Sequence, residues 1–319
     1  MAPTRPDPVP PFDMARFSTA PLAGREHLVE SERFGKPIEA TASAADFVDS
    51  LPAYLGVNHL RSLAQAIVAA KAAGAPVLWG LGGHVVKVGL GPILRDLAER
   101  GYASGFVMNG AAAIHDTEIA MIGSTSEDVA AGLFDGTYGS ADDTGAHFAK
   151  ATARAEAEQI GLGTALARAL SEQEPPGADH SVLCYAADHD LPVTVHVAVG
   201  TDTVHMHPAC RGADVGGATH RDFLRLASLV ETMDGGVYVN VGSAVVLPEV
   251  FMKAVAIVHN ADSSRRIHIT TGNLDMLRHY RPRVNVVQRP SVKGYDIAGH
   301  HEVNVPLLRM AILAAEQAS

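Results

Sequence analysis

The chain has 319 residues, of which 47% are hydrophobic, and a formal net charge of −10 at pH 7. This length fits one large α/β domain or two closely joined ones, with enough apolar residues to fill a core. The acidic balance argues against general nucleic-acid binding, because phosphate neutralisation needs clustered Lys and Arg, and the 25 basic residues are scattered. Two cysteines without a C-x-x-C pair favour a cytoplasmic, reducing compartment. No apolar run is long enough to predict a membrane span.

The N-terminal segment is rich in proline, which supplies five of the first eleven residues. Proline lacks a backbone N–H and restricts the residue before it, so a helix is disfavoured there. Residues 1–40 are predicted to form an extended arm, either a disordered tail or a segment that lies on a neighbouring subunit. Residues 41–319 are predicted to form a single α/β domain.

Helix-like and strand-like segments alternate along this domain. The predicted helices cover residues 60–73, 92–100, 148–171, 182–187, 220–232, a stretch that Pro248 begins, and 305–316. Short apolar runs predict strands at residues 76–79, 105–108, 192–199, 236–241 and 266–270, and a polar loop covers 135–147. This alternation predicts a doubly wound, mostly parallel, Rossmann-like α/β fold with helices on both faces of the sheet.

Three glycine-rich turns follow predicted strands, at residues 80–83, 109–113 and 242–244. Ligands of parallel sheets bind outside the carboxyl ends of the strands, where glycine lets the backbone approach a pyrophosphate. The alternative is a set of tight turns with no ligand. The spacing differs from G-x-G-x-x-G, but three such turns together favour a nucleotide site.

The segment His115-Asp116-Thr117-Glu118 follows the second turn. A histidine exchanges protons near neutral pH, and a neighbouring carboxylate would tune it. The alternative is that Asp116 caps the helix after the second strand and that His115 has no catalytic role.

A second polar segment, Asp202 to His207, follows the predicted strand at 192–199. Asp202 could hold a substrate ammonium. His205 and His207 would point the same way if this segment were extended, and with His300 and His301 they could bind a metal ion.

Lysines near turns are candidates for a Schiff base, which requires a desolvated amine. Lys293 lies beside Gly294 in a loop, where a lysine is more often solvated.

The stretch from about Gly74 to Leu308 resembles the deoxyhypusine synthases and their bacterial relatives. The resembling motifs are the strand and turn at 77–89, the strand, turn and acidic residue at 107–116, the segment 181–207, the helix, strand and turn at 222–246, and Val305-Pro306-Leu307-Leu308. The resemblance implies NAD bound at subunit interfaces of a tetramer, and oxidation of an amine substrate that the matching aspartate, Asp202, contacts.

The sequence departs from this family where its chemistry is most specific. The acidic pair of the second turn reads Ile114-His115, and the family's histidine after the third turn is replaced near Pro248-Glu249. The catalytic-lysine segment reads Asn285-Val286-Val287-Gln288, with Lys293 offset from it. These departures indicate a different reaction from deoxyhypusine synthesis.

Part of the chain is also similar to the NAD-binding domain of an ornithine cyclodeaminase group. The similarity covers Asn109, His115-Asp116-x-Glu118 and Gly123-Ser124-Thr125-Ser126. It implies transient oxidation of an amine by tightly held NAD.

The predicted function is therefore an NAD-dependent enzyme that acts on a small-molecule amine, a polyamine or an amino acid, in a homo-oligomer. The predicted catalytic residues are His115, Asp116, Glu118, Asp202 and Lys293. The predicted cofactor-binding residues are Gly80, Gly82, Gly83, His84, Asn109, Gly110, Ala111, Gly242, Ser243, Ala244, Thr270 and Thr271. The alternatives are a catalytically silent nucleotide-binding homologue and a metal-dependent hydrolase built on His205, His207, His300 and His301.

Overall fold

The structure is a computed structural model that describes residues 9–262, 264 and 266–318. The first eight residues of the predicted arm lie outside this range. Residues 9–40 contain three short 3-10 helices. Every residue in this range except Arg33 is exposed. Their separation from a single domain beginning at residue 41 stays a prediction.

A six-stranded sheet forms the centre of the molecule. Its strands are β1 (Val77–Leu81), β2 (Gly105–Asn109), β3 (Val193–His196), β4 (Val237–Val241), β5 (Ile269–Asp275) and β6 (Ser291–Ala298). All neighbouring strands are parallel, in the order β3-β2-β1-β4-β5-β6. The chain therefore winds outward twice from β1, and this confirms the doubly wound α/β prediction.

The strands bury side chains on both faces, as parallel strands between two helical layers do. Trp79 and Phe106 contribute to a core on one face, whereas Leu78 and Val107 pack on the other. Successive side chains of a strand point to opposite faces, so continuous apolar runs were the correct signal for β1 and β2.

Thirteen helices surround the described part of the sheet. They are α1 (Ala44–Ser50), α2 (Leu55–Ala72), α3 (Gly83–Lys87), α4 (Gly91–Glu99), α5 (Gly110–Ile122), α6 (Val129–Asp135), α7 (Asp142–Glu158), α8 (Leu162–Ser171), α9 (Val182–Asp188), α10 (Gly212–Glu231), α11 (Val246–Ala261), α12 (Tyr280–Pro282) and α13 (His301–Gln317). A π-helical segment, Arg283–Gln288, follows α12. Among the described helices, none is long and apolar enough to cross a membrane.

Several predicted boundaries were wrong. The single helix at 148–171 is two helices, because Gln159 adopts a left-handed conformation with φ of 55° and ends α7. The strand expected at 266–270 runs from Ile269 to Asp275, so its carboxyl end lies five residues later. The edge strand β6 was missed because most of its residues are at least partly exposed and its sequence lacks an apolar run. Helix α5 is capped by Asn109, whose side chain accepts from the Ala112 N–H, and not by Asp116.

Candidate functional site

The glycine turns lie side by side at the carboxyl edge of the sheet. The Gly82 N–H donates to the Val241 carbonyl oxygen at 2.8 Å, which joins the turn after β1 to the end of β4. A Cβ on Gly82 would lie 2.0 Å from the carbonyl oxygen of Gly242. Because β1 and β4 are the central strands from which the chain winds in opposite directions, this contact lies at the topological switch point of the sheet.

Gly110 brings the second turn against the segment that follows β3. A Cβ on Gly110 would lie 2.1 Å from Asp202 Oδ2. Only glycine therefore allows the Asp202 carboxylate to reach the first residue of α5. The sequence placed both residues in the site, but it contained no signal that they touch.

The first and second turns meet through His115. The position of a Cβ on Gly83 is 2.8 Å from Ala111 Cβ and 3.2 Å from His115 Cδ2. The edge thus runs continuously from Asp202 through Gly110 and His115 to Gly83, Gly82 and Gly242.

A cavity of about 1090 Å³ opens beside α5 and the segment 201–203 that follows β3. Ligand pockets commonly measure roughly 300–1,000 Å³, so this one has room for a large ligand. The predicted residues that line it are Ala111, His115, Glu118 and Asp202. Its outer wall is built by residues 124–143, which comprise α6, most of the loop predicted at 135–147 and the first residues of α7.

Asp202 lines the cavity, and its Oδ2 atom lies against Gly110. Its Oδ2 atom is buried and has no hydrogen-bond partner among the described residues. Burial raises the pKa of the Asp202 carboxyl, and the charge of His205 opposes that effect. Buried polar groups are nearly always paired, so this oxygen indicates a missing donor.

His115 belongs to a hydrogen-bonded group on the cavity wall. Its Nδ1 atom is 2.7 Å from Thr125 Oγ1, and the Thr125 hydroxyl donates to Glu118 Oε2. The Thr144 hydroxyl donates to Glu118 Oε1 at 3.2 Å. Burial opposes ionisation of Glu118, but interactions with His115 and Thr125 outweigh it and lower the pKa of this carboxyl.

Asp116 lies apart from the cavity and has a structural role. Its carboxylate is fully buried and accepts from the Ser181 hydroxyl and from the N–H groups of Val182 and Leu183, at the first turn of α9. An α-helix has about 3.6 residues per turn, so Asp116, which directly follows His115 in the sequence, points away from the helix face that carries His115. The prediction that Asp116 is catalytic finds no support in this geometry.

Three further predicted residues lie at the wrong end of the sheet. Thr270 and Thr271 are at the amino end of β5, where the Thr271 hydroxyl donates to the Val286 carbonyl. Lys293 pairs with Thr270 and is exposed on the edge strand β6. The strand boundary expected at residue 270 caused the two threonine errors. Lys293 pairs with the amino end of β5 and does not line the cavity, so the geometry does not support a catalytic role for it.

Gly80 and His84 also differ from the prediction. Gly80 lies inside β1, where a Cβ would be 2.4 Å from the Tyr238 hydroxyl, so it serves sheet packing. His84 is exposed on α3 and its ring centroid is 5.8 Å from that of His301. Ser243 is buried at the carboxyl end of β4, as expected, and its hydroxyl accepts from the Leu247 N–H.

The predicted metal pair has a different geometry from the one expected. Residues 203–206 form a 3-10 helix and not an extended segment. His205 Nδ1 accepts from the Gly200 N–H, His207 Nε2 is 3.1 Å from Asp142 Oδ1, and His300 is 3.7 Å from Glu302. Within the described residues, no group of three or more His, Cys, Asp or Glu side chains is arranged to hold a metal ion. The hydrolase alternative therefore has no ligand set here.

The strand order and the glycine turns at the carboxyl edge define a doubly wound, Rossmann-like α/β fold. No protein-family model matches the sequence, and a search of curated proteins gives no match. Three-dimensional comparison finds a putative deoxyhypusine synthase from Entamoeba histolytica, with a TM-score of 0.51 and 11% identity, covering 89% of this chain and 96% of that chain.

Two other matching structures are of proteins named for arginine or ornithine chemistry or complexes. AgrE in a ternary complex with ornithine and NAD+ has a TM-score of 0.51 and 13% identity over 82% of this chain. ArgZ, an arginine dihydrolase from the ornithine-ammonia cycle in cyanobacteria, has a TM-score of 0.50 and 16% identity over 82% of this chain. The matches cover 34% of the AgrE chain and 33% of the ArgZ chain, so this chain spans about a third of each. At these identities the likeness shows a shared fold.

Proposed function

We propose that this chain is an NAD-dependent enzyme that oxidises a small-molecule amine transiently to an imine. The supporting observation is that Asp202 and His115 line one cavity and also pack against the glycine turns, at Gly110 and Gly83 respectively. The edge suits a dinucleotide, the carboxylate suits a cationic amine, and the imidazole suits proton transfer.

The cofactor would bind beside the glycine turns. At Gly82, Gly83 and Gly110 a Cβ would meet atoms of the neighbouring turns or of Asp202, so these glycines let the turns pack closely together next to α5. The amino end of α5, a helix of 13 residues, offers N–H groups and a positive dipole end to a phosphate. The amino end of α5 and Gly242 to Ala244 would hold NAD+, which would supply a hydride acceptor for oxidation at a carbon that bears nitrogen.

The cavity is acidic, as an amine site requires. Six carboxylates line it, namely Glu118, Glu127, Asp142, Asp143, Glu174 and Asp202. The single Lys or Arg among its described lining residues is Lys87. A carboxylate in a low-dielectric wall attracts an ammonium strongly, so Asp202 would bind the substrate nitrogen before oxidation.

His115 would then take the proton that leaves the substrate nitrogen. Its ring is half-buried on the cavity wall, next to the first glycine turn, where substrate and cofactor would meet. Removal of this proton leaves the neutral amine from which oxidation produces an imine. Water or a second amine attacks such an imine, which permits deamination, cyclisation or transfer.

Two experiments test the proposal. Small molecules released from the denatured protein should include NAD+ or NADH by mass spectrometry, and a panel of amines should produce a transient NADH absorbance with the wild type. Asp202→Asn should weaken amine binding, and His115→Ala should retain NAD+ and lose turnover. A protein that carries no dinucleotide, and whose melting temperature is unchanged by either redox form, would contradict the cofactor assignment.

A second candidate is a homologue that binds the nucleotide without catalysis. It is favoured by the position of Lys293, which is exposed at the far end of the sheet and cannot carry an aminoalkyl group in this cavity. NAD found in the purified protein, with no turnover of any amine, would support this candidate.

A further inference from the structure

Thr125 connects the two groups on the cavity wall that can exchange protons. Its Oγ1 atom is 2.7 Å from His115 Nδ1, and its hydroxyl donates to Glu118. His115 and Glu118 are three residues apart on α5 and therefore share one helix face, with 3.8 Å between Nδ1 and the nearest carboxylate oxygen. The threonine bridges a gap that the two side chains do not close directly.

The order of donors in this group follows from the carboxylate. Ionised Glu118 only accepts hydrogen bonds, so the hydroxyls of both Thr125 and Thr144 must donate to it. A hydroxyl has one proton, and that of Thr125 is used on Glu118. The Thr125 oxygen must therefore accept from His115, which requires the proton of the neutral ring to reside on Nδ1.

The remaining ring nitrogen then carries a free lone pair. His115 Cδ2, which is bonded to Nε2, lies 3.2 Å from the position of a Cβ on Gly83. The Cδ2–Nε2 edge of the ring thus faces the first glycine turn, while Nδ1 faces Thr125. Nε2, which is bonded to Cδ2, therefore lies on the side of the ring away from Thr125.

The backbone around Thr125 is held in an uncommon conformation. Gly123 ends α5 with φ of 72°, and Ser126, which is not glycine, has φ of 74°. A left-handed non-glycine residue costs free energy and persists where its surroundings fix it. The turn therefore delivers the Thr125 hydroxyl to a defined place between His115 and Glu118.

We propose that Thr125 is a positioning residue that, with Glu118, fixes His115 as the Nδ1–H tautomer with Nε2 as the proton acceptor. This inference rests on the proposed function for its catalytic meaning, but the tautomer itself is a property of the resting protein. Loss of the partner that fixes a tautomer lowers the rate of a histidine base even when the base remains in place.

Nitrogen-15 NMR of the histidine-labelled protein above neutral pH tests the tautomer, with His115→Gln to identify the signals. We expect Nδ1–H in the wild type and in Thr125→Ser, and loss of that preference in Thr125→Val.

In Glu118→Gln the new side-chain carbonyl would still accept from the Thr144 hydroxyl, so the new side-chain amide would donate to the Thr125 oxygen. The Thr125 hydroxyl would then donate to His115 Nδ1, and the His115 tautomer should reverse to Nε2–H. Thr232→Val, the same change at an exposed helix end, should match the wild type. A wild-type ring protonated on Nε2, or a Thr125→Val spectrum like that of the wild type, would overturn the proposal.

Turnover provides the second readout. With an amine that the wild type oxidises, Thr125→Val should lower kcat about 10-fold to 100-fold with little change in KM, since general base catalysis contributes roughly 10²–10⁴-fold. Thr125→Ser should recover most of this loss and the wild-type pH profile. If no amine is oxidised but the tautomer depends on Thr125, the proposed function fails and the positioning role stands. If amines are oxidised and Thr125→Val equals the wild type in both readouts, the positioning role fails.

Discussion

Asp222 shows how a single buried carboxylate connects the parts of this fold. Its Oδ2 accepts from the N–H groups of Gly163 and Val195, so α10 is tied to α8 and β3. A Cβ on Gly161 would lie 1.8 Å from its other oxygen, which has no hydrogen-bond partner among the described residues. Burial raises the pKa of the Asp222 carboxyl to about 7, against the effect of these two hydrogen bonds.

This pKa predicts a pH-dependent stability. The folded-state pKa is raised above the unfolded value of about 3.9, so the stabilising contribution is complete below about pH 4 and is lost as the pH rises through about 7. In Asp222→Asn the side chain is neutral at every pH. The free energy of unfolding of this variant, measured in urea, should therefore depend less on pH between about 5 and 7 than that of the wild type. Asp179→Asn, at a side chain that is 95% exposed, is the control. An equal pH dependence in Asp222→Asn and the wild type would show that Asp222 does not titrate in this range.

A second residue-scale prediction concerns the contact between Gly110 and Asp202. In Gly110→Ala the new Cβ would lie 2.1 Å from Asp202 Oδ2, so the carboxylate or the turn must shift. Because a hydrogen bond to a charged group contributes about 1.5–3 kcal/mol, we expect the Kd for NAD+ or the amine to rise about 10-fold or more. Titration calorimetry measures the Kd for NAD+ and the Kd for the amine. Gly56→Ala, where a Cβ meets nothing within 4 Å, should bind like the wild type.

At the scale of elements, the outer wall of the cavity is held mainly by its own residues. The backbone N–H groups of Gly132, Gly136 and Tyr138 donate to carbonyls of residues 128 and 132, and the Gly139 N–H donates to the Glu127 carboxylate. Helix α6 has seven residues, and Phe134 on it is 95% exposed. Segments with few buried contacts open at low free energy.

We therefore expect residues 124–141 to exchange their amide hydrogens much faster than α2 in the free protein. NAD+ together with a bound amine should slow exchange in this segment, because its residues line the cavity. Hydrogen-exchange mass spectrometry, with and without these ligands, measures the change, and α2 serves as the internal reference. Exchange in 124–141 that is slow from the outset, or unaffected by ligands that bind, would contradict this interpretation.

The elements also show where the sequence sufficed and where it did not. Apolar runs and glycine turns predicted five of the six described strands, because a buried parallel strand leaves that pattern. The exposed strand β6 leaves no such pattern. The site was predicted in part: His115, Glu118 and Asp202 line the cavity, but Thr125 was noticed only within a resemblance. A hydroxyl in a loop is an ordinary feature of sequences, and its role depends on a contact seven to ten residues away.

At the scale of the whole molecule, the arm is the least integrated part of the described chain. Its later portion is anchored: the Arg33 guanidinium and carbonyl bond to the backbone of Ala53, and the Glu30 backbone bonds to the Tyr54 hydroxyl. Residues 9–29 are all exposed, including Phe12, Phe17 and Leu28.

Deletion of residues 1–28 should therefore leave the domain folded. Residues 9–28 bury no side chain, and surface changes usually alter the free energy of unfolding by less than about 0.5 kcal/mol, so the melting temperature should move by less than about 2 °C. Deletion of residues 1–36, which also removes the Arg33 and Glu30 bonds, should lower it further. Calorimetry measures both variants, and light scattering reports the assembly mass. A large drop for the shorter deletion, together with a smaller assembly, would show that the exposed aromatic side chains are buried against a neighbouring subunit.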